Sequence, residues 1–213
     1  MYISKQRQIK KDMKLLIVNT ILDVFKDENI KDISVRTLAN KINYSPATIY
    51  LYFKNKNEIL SAVSQRGFWM LLLKTKSRIN TAKNTLEKLY LQGNEYVDFA
   101  LENPQIYELM FLEEVYNEQI DFLSGKNYKQ EYNDLLYQLL EESVQQKIIE
   151  HSQIEIIISN WHAFLHGYSC LRIKNRMCEP ENIIQFENTD KKIIASFFEL
   201  LNQRYFQKNF HNN

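Results

Sequence analysis

Residues 33–60 read ISVRTLANKINYSPATIYLYFKNKNEIL, and this stretch decides the fold. Ser34 reads as an N-cap, because its hydroxyl can accept from an orphan backbone N–H of a first helical turn. Leu38, Ala39 and Ile42 then give a short helix its apolar side. Asn43 and Tyr44 follow, and Asn is one of the few non-glycine residues tolerated in a left-handed turn. Ser45 is a second N-cap, and Pro46 suits the first helical position, where a missing N–H is not needed. The spacing predicts helix, tight turn and helix within about twenty residues, the second helix running to about Phe53. Asn55 caps the next helix, with Glu58 completing a capping-box pattern, and that helix is expected to reach about Lys76.

The pattern stays helical on both sides. Upstream, Met13, Leu16, Ile17, Thr20, Ile21, Val24 and Phe25 recur at helical spacing, and Asp27, Glu28 and Asn29 end the element. Downstream, Leu86 to Leu101 forms one helix, and Asn103-Pro104 breaks the chain before a short helix through Phe111. Residues 113–127 are polar and read as a loop, and Tyr128 to Glu150 is helical. A stripe of Ile154, Ile157, Ile158, Trp161, Leu165 and Tyr168 marks a helix ending near Lys174. Cys178 to Asn188 is a connection, Thr189 caps a last helix carrying Ile193, Ile194, Phe197, Leu200 and Leu201, and Gln207 to Asn213 reads as a frayed tail. Four glycines and three prolines in 213 residues leave out the turn residues that sheets need. The expected class is all-α, with about nine helices. A chain of this length holds one larger domain or two small ones.

Composition narrows the function classes. The aliphatic run Leu15 to Val18 is far short of the roughly 18 residues that span a bilayer. Asn19 and Thr20 interrupt it before the about 7–15 apolar residues of a signal peptide. Only Cys170 and Cys178 are present, so no disulfide framework is expected and a reducing cytoplasm is the simplest location. The formal net charge is +1, but residues 1–56 hold eleven Lys and Arg against five Asp and Glu, leaving sixteen against twenty-one for the rest. A basic head on an acidic body suggests a nucleic-acid surface at the head.

Two short helices joined by a tight turn in a basic segment describe a helix-turn-helix. The segment resembles the DNA-binding signature of the TetR-type transcriptional regulators. The matching pieces are Ser34, Leu38-Ala39, Ser45-Pro46, Thr48-Ile49-Tyr50, Tyr52-Phe53, Lys56 and Glu58-Ile59-Leu60, and the resemblance covers about residues 9–62. That family usually has glycine where this chain has Asn43, and a small aliphatic residue where it has Tyr44. The resemblance implies a DNA-binding domain over residues 1–55 and a helical effector-binding and dimerisation domain over residues 56–213. It also implies that the helix from Ser45 to Phe53 enters the major groove. Ser45, Pro46, Ala47, Thr48, Leu51 and Tyr52 would lie towards DNA, with Thr48 and Tyr50 on phosphates or base edges. Lys56 would hold a phosphate, and Ser34 and Arg36 would contact the backbone or a base edge. Lys5, Arg7, Lys10 and Lys11 would add non-specific attraction. Arg36 carries the strong base-reading group, and Pro46, Ala47 and Leu51 can touch thymine methyls. Ile49 and Phe53 read as core.

In the second half, Asn103 to Phe111 and Trp161 to Gly167 resemble a TetR subgroup named for a Trp-His-Gly pattern, here Trp161, His166 and Gly167. Tyr96, Phe99, Tyr107, Met110, Phe111, Tyr137, Trp161 and Phe164, with His162 and His166, are candidates to line an effector pocket between helices. Any one of these aromatics can equally be ordinary core. His162 and His166 are four apart on one helix and could face one metal, with Cys170 four further on. No acidic residue follows in a metalloprotease pattern, and a packed, hydrogen-bonded pair is the commoner outcome, so neither metal nor cofactor is expected. The last two helices carry apolar stripes too broad for lone surface helices and are expected to pair with a second copy as a homodimer.

These readings converge on a regulator, a repressor released from a palindromic double-stranded DNA operator by an unknown small-molecule effector. A DNA-binding adaptor without ligand control is the alternative. An enzyme is disfavoured by the lack of a nucleophile elbow, phosphate loop, paired metal-ligand motif or Gly-rich cofactor loop. No membrane partner is expected.

Overall fold

The computed structural model describes residues 2–24, 34–111, 121, 124–177 and 189–206. Among the described residues there are nine α-helices and no strand. They are α1 (Tyr2–Val24), α2 (Val35–Lys41), α3 (Pro46–Tyr50), α4 (Lys56–Ile79), α5 (Thr85–Glu102), α6 (Pro104–Phe111), α7 (Tyr128–Gln145), α8 (Ile154–Ile173) and α9 (Thr189–Leu201). The class is all-α, a helix-turn-helix segment followed by a helical C-terminal part. The expected end of α1 at Asp27 to Asn29, most of the 113–127 loop, the 178–188 connection and the 207–213 tail lie outside the described residues.

Several boundaries differ from the sequence expectation, each for a local reason. Helix α1 begins at Tyr2, well before its apolar face starts at Met13, because the intervening Lys, Gln and Arg are good helix formers without Gly or Pro. Helix α3 ends at Tyr50 rather than near Phe53. The Leu51 and Tyr52 N–H groups donate three residues back, to the Thr48 and Ile49 carbonyls at 3.2 and 2.9 Å, which tightens the last turn. Helix α7 stops at Gln145 rather than near Glu150, because Lys147 takes a left-handed φ of 59°. The Ile148 N–H then returns to the Ser143 carbonyl at 2.9 Å, a Schellman closure with lysine where glycine is usual.

Contacts divide the chain into two compact units, Met1–Met70 with Asn103–Glu131, and Leu71–Glu102 with Tyr132–Asn213. These bodies do not follow a division at residue 55. In the first, Ile17, Ile21, Leu38, Ile49, Phe53 and Val63 form a buried core under the short helices. Gly67 lets α4 approach α6 closely, since a Cβ there would lie 2.5 Å from Met110 Sδ. In the second unit, α5 and α8 meet around Trp161 and Gly93. Ion pairs tie Lys88 to Glu142 at 2.9 Å and Arg172 to Asp190 at 2.8 Å.

Candidate functional site

The turn between α2 and α3 is built from local bonds. Ser34 Oγ accepts from the Thr37 N–H at 3.0 Å and Ser45 Oγ accepts from the Thr48 N–H at 3.1 Å. In each Ser-x-x-Thr pair the two hydroxyls also lie 2.9 Å apart, so one O–H proton of each pair is left over for an outside acceptor. Asn43 adopts a φ of 57°, and the Tyr44 N–H donates to the Ala39 carbonyl at 2.8 Å. Asn thus does the work of the usual glycine, and Tyr44 sits at the surface, 37% exposed, without displacing α3.

One side of α3 is inward and the other is open. Ile49 and Phe53 are buried, whereas Tyr50 is 52% and Leu51 72% exposed. Ser45 and Ala47 are exposed, and Pro46, Thr48 and Tyr52 are half-buried. Ser34 and Arg36 are exposed on α2, and Lys56 is half-buried at the start of α4. Lys5, Lys10 and Lys11 are exposed on α1. An exposed leucine and tyrosine on a short helix, backed by two fully buried apolar residues, make a rigid face whose outer side has no partner within its own unit.

The segment is pinned from behind by a contact that the sequence reading missed. Lys14 of α1 donates to Glu58 Oε1 at 3.0 Å, and its ammonium lies 4.7 Å from the centre of the Phe53 ring. Glu58 Oε2 also accepts from the Lys54 N–H at 2.6 Å, while its own N–H donates to Asn55 Oδ1 at 2.9 Å. The expected capping box is present, reaching one residue further back than Asn55. Burial pushes the Glu58 carboxyl up, but the Lys54 N–H and the Lys14 ammonium outweigh it and hold the carboxyl below its usual range.

The residues singled out in the second half separate. Tyr107 and Met110 are buried and Phe111 half-buried in the first unit, where the Tyr107 and Phe111 ring centres are 4.8 Å apart. Tyr96, Phe99 and Trp161 are buried in the second. Phe164 stacks on Phe197 with ring centres 3.8 Å apart. Tyr137 corrects the expectation. It is 41% exposed on the outer side of α7, and its phenol is pushed up by the Glu141 carboxylate to which it is hydrogen-bonded.

His166 Nδ1 lies 3.4 Å from the Tyr96 hydroxyl and its Nε2 lies 3.7 Å from Cys170 Sγ. Burial pulls the His162 imidazole down, with the charge of His166 adding to it, and burial does the same to His166. Among the described residues no three His, Cys, Asp or Glu side chains converge as a metal site.

Trp161 is held by an unforeseen relay. Its indole N–H donates to Gln92 Oε1 at 2.7 Å, and Gln92 Nε2 donates to the Tyr132 hydroxyl at 2.7 Å. Gly93 lies directly against the ring, since a Cβ there would be 2.1 Å from Cζ2. One of only four glycines, placed mid-helix, is the signal that could have found this contact. Beside Trp161 is an apolar cavity of about 10 Å³, walled by Leu89, Leu136 and Trp161 on one side and by Phe198, Leu201 and Phe206 on the other.

The profile described as "Bacterial regulatory proteins, tetR family" matches residues 17–63, and one described as "Tetracyclin repressor-like, C-terminal domain" matches residues 89–186. The chain belongs to the tetR family. It is a DNA-binding transcriptional regulator and not an enzyme. An uncharacterized HTH-type regulator of Haemophilus influenzae is 31% identical over 100 residues, 47% of this chain and 54% of that protein, so the match spans about half of that relative. The uncharacterized regulator YobS of Bacillus subtilis is 24% identical over 172 residues, 80% of this chain and 84% of that one. Among solved structures, a Rhodococcus protein of unknown function shares the fold with a TM-score of 0.71 at 16% identity, covering 91% of this chain and 95% of that one. AibR in complex with isovaleryl coenzyme A and operator DNA has a TM-score of 0.60 at 15% identity, covering 88% of this chain and 96% of that one. No described helix of this tetR-family chain is long and apolar enough to cross a membrane.

Proposed function

We propose that this regulator is a cytoplasmic homodimeric repressor that leaves a palindromic operator when a small molecule binds its C-terminal helices. The observation that carries the reading is the open face of α3, with Tyr50 and Leu51 outward and Ile49 and Phe53 inward. In this reading residues 1–55 bind DNA. Arg36 reads a base edge, Pro46, Ala47 and Leu51 meet thymine methyls, and Ser34, Ser45, Thr48, Tyr50, Tyr52 and Lys56 hold phosphates and register. Residues 56–213 bind the effector and the second copy. The outward side of α8 and α9 supports the dimer, with Ile156, Leu171 and Leu200 each at least 45% exposed. Two-fold symmetry would set two α3 helices about 34–36 Å apart, one turn of DNA. AibR, whose complex holds both isovaleryl coenzyme A and operator DNA, supports a reading in which one chain of this fold takes a small molecule and DNA.

The test is a gel shift on the promoter region of the protein's own gene, titrated with salt. Affinity is expected to fall with a log–log slope of about 0.9 per phosphate neutralised. Absence of retardation of any promoter fragment at low salt refutes the reading. The small cavity beside Trp161 favours a second reading, a DNA-binding adaptor without ligand control. Effector-induced thermal stabilisation coupled to operator release separates the two.

A further inference from the structure

The two walls of the cavity beside Trp161 differ in how they are held. The inner wall is locked by hydrogen bonds, Trp161 to Gln92 and Gln92 to Tyr132, each at 2.7 Å. Gly93 beneath the indole leaves the ring no room to turn. The outer wall is the far end of α9, with Phe198 and Leu201, and the π-helical turn Asn202–Phe206 that follows it. Helix α9 is fixed at its start, where Asp190 takes Arg172 at 2.8 Å and the Tyr168 hydroxyl. Its far end is held by ring contacts, Phe198 lying 5.6 Å from Tyr90, 5.8 Å from Trp161 and 6.5 Å from Phe206. The polar tie printed there is long, Asn160 to the Tyr205 hydroxyl at 3.5 Å. A π turn has wider, less regular bonding than an α-helix and marks functional sites more often than chance. The arrangement is a lever pinned at Asp190 and free at Phe206.

The chemistry of the lining sets what can enter. Every side chain around the cavity is aliphatic or aromatic, and its one polar atom, the Trp161 indole nitrogen, is already bonded to Gln92. A charged or hydrogen-bonding group placed there would lose its water and gain no partner. We propose that this cavity takes the uncharged hydrocarbon part of the effector, an alkyl chain or small aryl ring, and that the guest swings the Leu201–Phe206 end of α9 outward. This rests on the ligand-responsive reading above. The cavity of about 10 Å³ is the closed state of the lever, and the guest supplies the apolar contacts that Phe198 and Phe206 give up.

The test uses the full chain and a series of straight-chain alcohols from 1-butanol to 1-octanol. The protein has two tryptophans, so Trp69→Phe leaves Trp161 as the fluorescent reporter. The expected result is a saturable change in Trp161 emission whose dissociation constant falls about fourfold per added methylene until the cavity is filled. Phe206→Ala, which frees the lever, is expected to tighten octanol binding, and Leu201→Trp, which fills the space, to weaken it at least tenfold. An emission change that never saturates in the folded protein, or one that is the same in Leu201→Trp, overturns the proposal. Operator retardation measured in the same samples separates the two claims. Saturable binding with operator affinity unchanged keeps the cavity and refutes ligand control. Operator binding that persists with no alcohol bound refutes the cavity and leaves the regulator reading intact.

Discussion

Gly93→Ala is expected to destabilise the protein, although the same change in an ordinary helix stabilises it. Ala is favoured over Gly in a helix interior by about 0.8–1.0 kcal/mol. At position 93 the new Cβ would stand 2.1 Å from Trp161 Cζ2 and 2.8 Å from Cη2, against an optimal carbon–carbon separation of about 3.5–4.0 Å. The ring cannot withdraw. It is 2% exposed, bonded to Gln92 at 2.7 Å, and packed against Phe197 and Phe198 with ring centres 6.1 and 5.8 Å away. Overpacking of this kind costs about 1–3 kcal/mol. If the ring tilts enough to break its bond, a buried donor and acceptor are stranded at about 1–3 kcal/mol more. Set against the propensity gain, the net loss is about 1–5 kcal/mol. Urea denaturation followed by far-UV circular dichroism reads it. The control is Trp161→Leu, which removes the obstacle, and in that background Gly93→Ala is expected to stabilise by its helix-propensity gain. A Gly93→Ala protein as stable as the parent, or more stable, refutes the assignment of a close indole contact. Gly67→Ala is milder by the same logic, because the atom it meets at 2.5 Å is the sulfur of flexible Met110.

Lys147→Gly is expected to stabilise by about 0.5–1 kcal/mol in the same denaturation assay. It relieves a left-handed L-residue at φ 59°, and the greater freedom of glycine in the unfolded chain returns part of the gain. Ser45→Ala is expected to cost about 0.5–2 kcal/mol through the lost cap and to weaken operator binding. Tyr50→Ala, at an exposed position, is expected to weaken operator binding with stability changed by less than about 0.5 kcal/mol. Acidification gives a fourth check. Burial depresses the His162 and His166 imidazoles in the folded chain, so the unfolded chain takes up protons first as pH falls. Their contribution to stability is full above about pH 6.5, the unfolded value, and declines as pH drops towards the depressed folded values. Melting temperature is expected to fall between pH 7.5 and 5.5, and His162→Gln is expected to flatten that slope.

What could be read from the sequence was what is decided within one helical turn. Ser34, Ser45, Asn55, Pro46 and Asn43 act on neighbours three to five residues away, so their residue types alone predict the two caps, the tight turn and the start of α4. The same locality explains why α3 shows an open face. Its outward and inward residues alternate with the helix itself, whatever packs behind them. The end of α7 was not legible, because glycine and asparagine advertise a left-handed turn and Lys147 does not. Its conformation follows from the Ser143 carbonyl that the Ile148 N–H must satisfy.

The C-terminal candidates fell short for a different reason. Aromatic residues at helical spacing mark a buried stripe, but the stripe does not say what each ring meets. Tyr137 is on the outer side of its helix, and Tyr107 and Trp161 are buried in different units. Trp161 is set by Gln92, Gly93 and Tyr132, which are 69, 68 and 29 residues away in the chain. Such a contact needs all four positions to be chosen together, so no single one reads as unusual except the glycine. It follows that effector chemistry in this chain is encoded by a combination, a locked indole on one wall and a pivoting helix end on the other. A variant series aimed at specificity would change Leu201 and Phe206, which border the movable wall, before touching the residues that hold Trp161 in place.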